Sequence, residues 1–351
     1  MKKIKGITLA IILTGVISLG SSGTAYSQKT TVLQFESWLP TNIAMYPSIQ
    51  AFYKGLENAT GGAVKVQLNM GGSMGKAGDT YHRTLQGVND IGHFNPGFNT
   101  GVFPMWEIFE YPVHCPSTEQ LARFQIAMYD KGYFDKEFGQ VKIVGLYNVG
   151  AYILYSNQKI TTINDLNRLK IRTPSQGWVA TCKAIGAVPV TLPTGEMYLA
   201  LQKGIVDAVA NIWDAVRVFK LKEVSRYVNE LYLMTTTHVY AMNKKAWEAL
   251  PKAGKDYVNA NWKDFSLKCA RSSEVLIPEF KKEFLSAGSN KEIAGFAPGE
   301  LEKLDKLLKP VWDKWIADRE AKGLPAKRAL ADLYKIMTDE GQVNPIVGYA
   351  P

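Results

Sequence analysis

TVLQFESWLPTNIAMYPSIQAFYKGLENATGGAVKVQL, residues 31–68, is the stretch that decides the fold class. Residues 31–38 are rich in β-branched and aromatic residues, which predicts a strand. Residues 42–59 place apolar side chains three and four positions apart, which predicts a helix, and residues 64–68 alternate polar and apolar side chains as a second strand does. The segment is therefore predicted to form a β-α-β unit, the building block of a parallel sheet.

The same alternation continues on both sides of Gly150. A helix over residues 79–86 and a strand over residues 90–94 extend the first unit, and new α/β elements begin near Gly150. These are strands over residues 152–156, 170–172 and 205–210 and helices over residues 178–185 and 196–203. The segment Leu85–Ile91 resembles Leu201–Ala208, since each has a helix end, a glycine and a strand that begins at Asp. Two similarly built α/β lobes are expected.

The C-terminal part of the sequence, from Lys244 onward, is predicted to be mostly helical. A long helix is expected over residues 256–285, and Pro278 should end or kink it near Ile277.

Composition and charge indicate a globular protein of about two domains. The chain has 351 residues, of which 46% are hydrophobic, 21% charged and 11% aromatic, so disordered and fibrous classes are excluded. The formal net charge is +9. The positive charges are spread along the chain without a basic run, which disfavours nucleic acid as a partner.

The first 27 residues have the three-part organisation of a secretory signal. Lys2, Lys3 and Lys5 precede the apolar run Ile7–Leu19, which a small polar stretch follows up to Ser27. About 13 apolar residues are too few for a membrane span, which needs about 20. Cleavage near Ser27 and export to the periplasm are predicted, and the remaining chain carries 38 basic and 32 acidic residues, a net charge of +6.

Three cysteines, Cys115, Cys182 and Cys269, are too far apart for a CxxC metal site. Buried, inert thiols are favoured, and a single disulfide remains open because the exported compartment is oxidising.

Motifs of catalysis are largely missing from the sequence. The four histidines have no HExxH spacing, no Gly-x-Ser-x-Gly elbow is present, and the glycine-rich loop Gly71–Ala77 lacks the residues of a phosphate loop. Glu107 and Glu110 stand at helical spacing and could act as acid and base, although a solvated helix face is the commoner explanation. No cofactor and no metal are predicted.

One group of polar residues follows predicted strand ends. Arg172 stands at the end of one strand, where Pro174 stops the ladder, and Asn211 ends another strand, followed by Trp213. Open α/β sheets bind ligands beyond such strand ends. Arginine can hold a carboxylate through two parallel hydrogen bonds, so an organic anion is the predicted ligand.

A series of short motifs in the order of one known family runs through most of the chain. They are ENATGG (57–62), GSMG (72–75), LQG (85–87), FP (103–104), EYP (110–112), DL (165–166), KIRTP (170–174), IGAVPV (185–190), EMYLALQ (196–202) and NKKAW (243–247). In this order they resemble the extracytoplasmic solute-binding proteins of TRAP transporters, of the DctP type.

The resemblance implies a fold and a mode of action. It implies a two-lobed α/β periplasmic binding protein with hinge strands and a long helix spanning both lobes. Lobe I would comprise residues 28–149 and about 238–275, and lobe II residues 150–237 and about 276–351. The position of Arg172 matches the family's carboxylate-binding arginine, and Asn211 matches an asparagine of the same cleft. The implied partners are the small and large membrane subunits of the transporter, and a monomer is expected.

Departures from the family pattern bear on the solute. Ala210 and Ile212 flank Asn211 where many members have Glu and Pro, Tyr152 stands where dicarboxylate-type members often carry a second arginine, and Thr194 replaces a common aromatic. One cation among aromatic residues favours a monocarboxylate with an apolar or aromatic body. The candidate aromatic contacts are Trp38, Phe94, Tyr152, Trp178 and Trp213.

The resulting hypothesis is a periplasmic binding protein that closes about a hinge near Gly150 and His238 and buries an organic carboxylate against Arg172. Two alternatives remain open. One is a secreted hydrolase or lyase in the same cleft with Glu107 or His93 as base, and the other is a ligand sensor with the same fold.

Overall fold

The structure, a computed structural model, describes residues 30–115 and 117–351. The predicted signal segment, residues 1–27, lies outside the described residues. Within those two ranges, no helix is both long enough and apolar enough to cross a membrane.

The described residues form eleven strands and thirteen α-helices. The strands are β1 (Thr31–Ser37), β2 (Val64–Asn69), β3 (Ile91–Phe94), β4 (Val141–Ala151), β5 (Ile153–Ser156), β6 (Lys170–Thr173), β7 (Val188–Thr191), β8 (Ala208–Asn211), β9 (Tyr227–Glu230), β10 (Thr235–Asn243) and β11 (Glu292–Gly295). The helices are α1 (Tyr46–Ala59), α2 (Thr80–Gln86), α3 (Thr118–Asp130), α4 (Asp135–Phe138), α5 (Gln176–Ala184), α6 (Met197–Gln202), α7 (Ala215–Val218), α8 (Leu221–Val224), α9 (Lys244–Ala249), α10 (Lys252–Glu274), α11 (Ile277–Leu285), α12 (Glu300–Glu320) and α13 (Ala326–Asp339).

Two sheets with the same plan confirm the predicted two-lobed α/β fold. The sheet of lobe I has the order β2-β1-β3-β10-β4, and that of lobe II, counted from its other edge, has the order β7-β6-β8-β5-β9-β11. In each sheet the first three strands are parallel and the fourth is antiparallel to both of its neighbours. The similarity between Leu85–Ile91 and Leu201–Ala208 reflects this plan, because these segments lead into the equivalent strands β3 and β8.

The predicted β-α-β unit is present, since β1 and β2 are parallel and α1 connects them. The helix begins at Tyr46, four residues later than predicted, and Pro47 stands in its first turn. Proline is well tolerated there because the first N–H groups of a helix have no partner within it.

The chain crosses between the lobes at three places. β4 continues into β5 through Tyr152, β9 continues into β10 through residues 231–234, and α10 is followed by α11 after a break at residues 275–276. The first two crossings lie side by side, because the Tyr152 N–H donates to the carbonyl oxygen of Met234 at 2.7 Å. Gly150, just before the first crossing, has a φ of +97°, which side chains other than glycine rarely adopt.

The predicted long helix is thus two helices that together span both lobes. The first packs against α1, α3 and β4 of lobe I, and the second packs against α7 and β11 of lobe II. The interruption falls within two residues of the predicted position at Ile277, and Pro278 occupies the first turn of α11.

The three cysteines are free and buried, as the sequence favoured. Burial raises the pKa of the Cys115 and Cys182 thiols to about 12 and also raises the pKa of Cys269. Thiols with such pKa values remain protonated and unreactive at neutral pH.

Candidate functional site

A cleft between the two lobes encloses about 520 Å³ of space, including part of its mouth. Its walls are mostly apolar, with a few polar side chains. Lobe I contributes Trp38, Leu39, Ile43, Met45, Asn95, Phe98, Val149 and His238, and lobe II contributes Pro174, Thr194, Asn211, Ile212, Asp214, Ala215, Val218 and Phe219, with Tyr152 at the crossing between them.

Strand ends from both sheets build these walls. Trp38 follows β1 and Asn95 follows β3 in lobe I, while Pro174 follows β6 and Asn211 ends β8 in lobe II. Parallel strands present their carboxyl ends at one edge of a sheet, and ligands bind there. The cleft is therefore formed where the two equivalent edges face each other.

Arg172, on β6, is almost completely buried, with 1% of its surface exposed. Its Nε donates to the carbonyl oxygen of Leu192 at 3.1 Å, Nη2 to Thr194 Oγ1 at 3.2 Å and Nη1 to the carbonyl oxygen of Ala210 at 3.5 Å. All three acceptors are neutral. Burial lowers the pKa of Arg172 to about 10, which leaves it charged at neutral pH.

Arg172 is not among the residues that line the cleft, but its guanidinium contacts one of them. Thr194, which accepts its Nη2 hydrogen bond, lines the cleft, and so does Tyr152. Burial raises the pKa of the Tyr152 hydroxyl to about 12, and the positive charge of Arg172 opposes this effect. Trp178 stands behind Tyr152, at 5.4 Å between ring centroids, and does not line the cleft.

Asn211 lines the cleft with its amide held in one orientation. Its Oδ1 accepts from the Ile212 N–H at 2.8 Å, and its Nδ2 lies 3.1 Å from the sulfur of Met197. Trp213, two residues later, lines a neighbouring cavity of about 350 Å³ that also includes Tyr232 and Ser273.

Phe94 is placed in the core of lobe I and does not reach the cleft, contrary to the prediction. Its ring centroid lies 5.1 Å from that of Tyr81 and 5.9 Å from that of Phe103. Successive side chains of a strand point to opposite faces, and the face that carries Phe94 meets helix α2. Trp38, in contrast, lines the cleft and stacks on His238 at 6.0 Å.

Asn95 and Asp214 are cleft residues that the sequence reasoning missed. Asn95 follows β3 as Ile212, also a cleft residue, follows β8, so the internal similarity of the two lobes was a signal for this position. Asp214 comes three residues after a strand end, and no motif distinguishes it.

The two side chains considered as bases are both engaged elsewhere. His93 is fully buried, with Nδ1 2.8 Å from Ser37 Oγ and Nε2 2.8 Å from His238 Nδ1. Burial lowers the pKa of His238 to about 3 and also lowers that of His93, so both imidazoles are neutral. Glu107 forms an ion pair with Arg319 of α12 and is not among the cleft residues. Within residues 30–115 and 117–351, no group of three or more His, Cys, Asp or Glu could hold a metal ion.

Glu110 lies in the segment between β3 and α3 and is hydrogen-bonded to strand β10. Its Oε1 accepts from the Thr237 hydroxyl at 2.7 Å, and burial raises its pKa to about 7. Since the folded state keeps this carboxyl protonated above its ordinary pKa of about 4.5, ionisation destabilises the folded state as the pH rises from about 4.5 to 7.

Glu110→Gln is therefore expected to stabilise the protein more, relative to wild type, at pH 8 than at pH 4.5, by on the order of 2–3 kcal/mol. Urea denaturation of both proteins at the two pH values measures this difference. The same relative stability at both pH values would contradict the assigned protonation state.

Comparison with known proteins agrees with this architecture. Residues 35–318 match the family model DctP, described as bacterial extracellular solute-binding protein, family 7. The ectoine-binding periplasmic protein TeaA of Halomonas elongata is 30% identical over 216 residues, which cover 60% of this chain and 61% of TeaA.

Two solved structures share the fold. One is a TRAP solute-binding protein from Rhodoferax ferrireducens in complex with copurified benzoate, with a TM-score of 0.82 and 24% sequence identity. The match covers 88% of this chain and 98% of the Rhodoferax chain. The other is a TRAP solute-binding protein from Bordetella bronchiseptica with bound (R)- and (S)-mandelate, with a TM-score of 0.79 and 22% sequence identity. The match covers 88% of this chain and 99% of the Bordetella chain. The chain belongs to the DctP family of bacterial extracellular solute-binding proteins, whose members serve TRAP transporters.

Proposed function

We propose that this protein binds a small organic monocarboxylate in the interlobe cleft, with the carboxylate paired to Arg172, and delivers it to TRAP membrane subunits. One observation carries the proposal. Two arginines are buried in the described part of the chain, and Arg319 pairs with Glu107, whereas Arg172 has no carboxylate within 4.0 Å. A buried cation without a counter-charge is costly, and an anionic ligand would offset that cost.

The walls of the cleft support a solute with an apolar or aromatic body. Trp38, Phe98, Tyr152 and Phe219 contribute aromatic rings, and most other wall residues are aliphatic. The proteins with bound benzoate and mandelate show that this fold accommodates aromatic monocarboxylates. Closure of the lobes would exclude water and thereby strengthen the pairing between guanidinium and carboxylate.

Membership of the DctP family supports delivery to membrane subunits and a periplasmic location. TRAP solute-binding proteins are exported, and the closed form is the state that the membrane subunits would recognise. We expect the mature chain to begin near residue 28 and to act as a monomer.

Thermal unfolding of the purified protein tests the proposal. The protein is stripped of ligand by unfolding and refolding, then heated with aliphatic and aromatic monocarboxylates, dicarboxylates and the primary amides of the same acids. A monocarboxylate at 100 times its Kd should stabilise the folded state by about 2.7 kcal/mol. The uncharged amides should have no effect. Equal stabilisation by an acid and its amide would refute the pairing with Arg172.

A further inference from the structure

Asp214 is an acidic side chain on the wall of a cleft that is proposed to bind an anion. It follows strand β8, lines the cleft and has 4% of its surface exposed. Its Oδ2 accepts a hydrogen bond of 3.2 Å from the N–H of Ala44, which belongs to the opposite lobe. Asp214 therefore contacts both the solute space and the other lobe.

The second carboxylate oxygen of Asp214 lacks a partner. Oδ1 is buried and has no hydrogen-bond donor among the described residues. The nearest basic residue along the chain, Arg217, forms ion pairs with Glu279 and Glu283 instead. A buried acceptor without a donor loses its hydrogen bond to water without replacing it, so such atoms normally have a partner.

The pKa of Asp214 agrees with an incompletely satisfied carboxyl. Burial raises it to about 6, while the Ala44 N–H and the charge of Arg217 lower it and the charge of Glu283 raises it. A donor placed against Oδ1 would stabilise the ionised form.

Trp38 provides a second unmatched polar atom, from lobe I. Its ring lines the cleft, and its Nε1 is buried without an acceptor among the described residues. The two lobes thus each present one unsatisfied polar atom from a residue of the same cleft, an acceptor on Asp214 and a donor on Trp38. An entirely apolar solute body would leave both unsatisfied.

We propose that the solute carries, besides its carboxylate, a hydrogen-bond donor that binds Asp214 Oδ1, either a hydroxyl or an ammonium group. This inference rests on the proposed function, because it assumes that the carboxylate pairs with Arg172. A hydroxyl can also accept from Trp38 Nε1, whereas an ammonium group only donates.

Calorimetric titration of the ligand-free protein with matched acids tests the inference. One series is benzoate, 3-hydroxybenzoate and 3-(aminomethyl)benzoate, and the other comprises the corresponding cyclohexane carboxylates. In the series that fits the cleft, the hydroxyl or the ammonium derivative should bind at least tenfold more tightly than the unsubstituted acid, as expected for a hydrogen bond to a charged group. Which derivative gains affinity distinguishes the two donors.

Asp214→Asn is the informative variant, because its amide oxygen can still accept from the Ala44 N–H. In this variant the affinity advantage of the derivative over the unsubstituted acid should fall to threefold or less. Asp339→Asn, which alters an exposed carboxylate paired with Lys335, should change neither affinity.

The two proposals fail in different ways. If an unsubstituted acid binds as tightly as its derivatives, or if Asp214→Asn keeps their advantage, the donor inference is wrong and the carboxylate site stands. If no acid of either series binds, both proposals fail.

Discussion

Replacement of Arg172 by methionine is expected to weaken binding of the preferred monocarboxylate at least a hundredfold, or about 3 kcal/mol. Methionine fills much of the same buried space but has neither the charge nor the donors. Arg172→Lys should also weaken binding, by about tenfold or more, because a lysine cannot form the two parallel hydrogen bonds of a guanidinium. Calorimetric titration with the acid identified by thermal unfolding measures both effects.

The ligand-free protein should not lose stability when Arg172 is replaced by methionine. Since Arg172 is a buried cation with only neutral acceptors, Arg172→Met is expected to leave the free energy of unfolding unchanged or to raise it. Arg271→Ala, which removes an exposed arginine paired with Glu119, is the matched control and should leave affinity unchanged. Unchanged affinity in Arg172→Met would refute the site, and a large loss of stability would show that Arg172 is structural.

Trp106→Ala is expected to lower the free energy of unfolding by about 3–5 kcal/mol. The Trp106 ring is fully buried and packs edge-on against Phe109, Phe134 and Phe138 at 4.8–5.1 Å. Its Nε1 donates to Thr237 Oγ1 at 2.9 Å, and that hydroxyl in turn donates to Glu110. The variant therefore loses core packing and a polar contact to strand β10 together.

Urea denaturation monitored by circular dichroism measures this loss. Trp247→Ala is the matched control, because Trp247 is only partly buried, with Lys142 above its ring, and should cost much less. If both tryptophan variants lost similar stability, the assignment of Trp106 to the centre of the lobe I core would be wrong.

The sequence predicted the elements that depend on local pattern. The β-α-β unit over residues 31–68 was predicted because its strands and helix have different hydrophobic periods. The internal similarity predicted two lobes of one plan. Strand ends then indicated where a ligand would bind, and Asn211 does line the cleft.

Contacts between distant segments could not be predicted. Asp214 meets Ala44 across 170 residues, and nothing near either residue in the sequence indicates the pairing. Strands β4 and β10 are buried on both faces, so they lack the polar alternation that identifies a strand. Phe94 was assigned to the wrong surface because its position at a strand end does not show which face its side chain takes.

Two of the buried thiols lie in different lobes, so each can report the local opening of its own lobe. Cys182 lies on α5 beside the lobe II sheet, whereas Cys269 lies on α10 against lobe I. An alkylating reagent can modify each thiol only when its surroundings open, so the rate of modification at each cysteine reports the opening free energy of its own lobe. A solute that closes the cleft should slow both rates, and mass spectrometry of the adducts would show whether the two lobes gain protection equally.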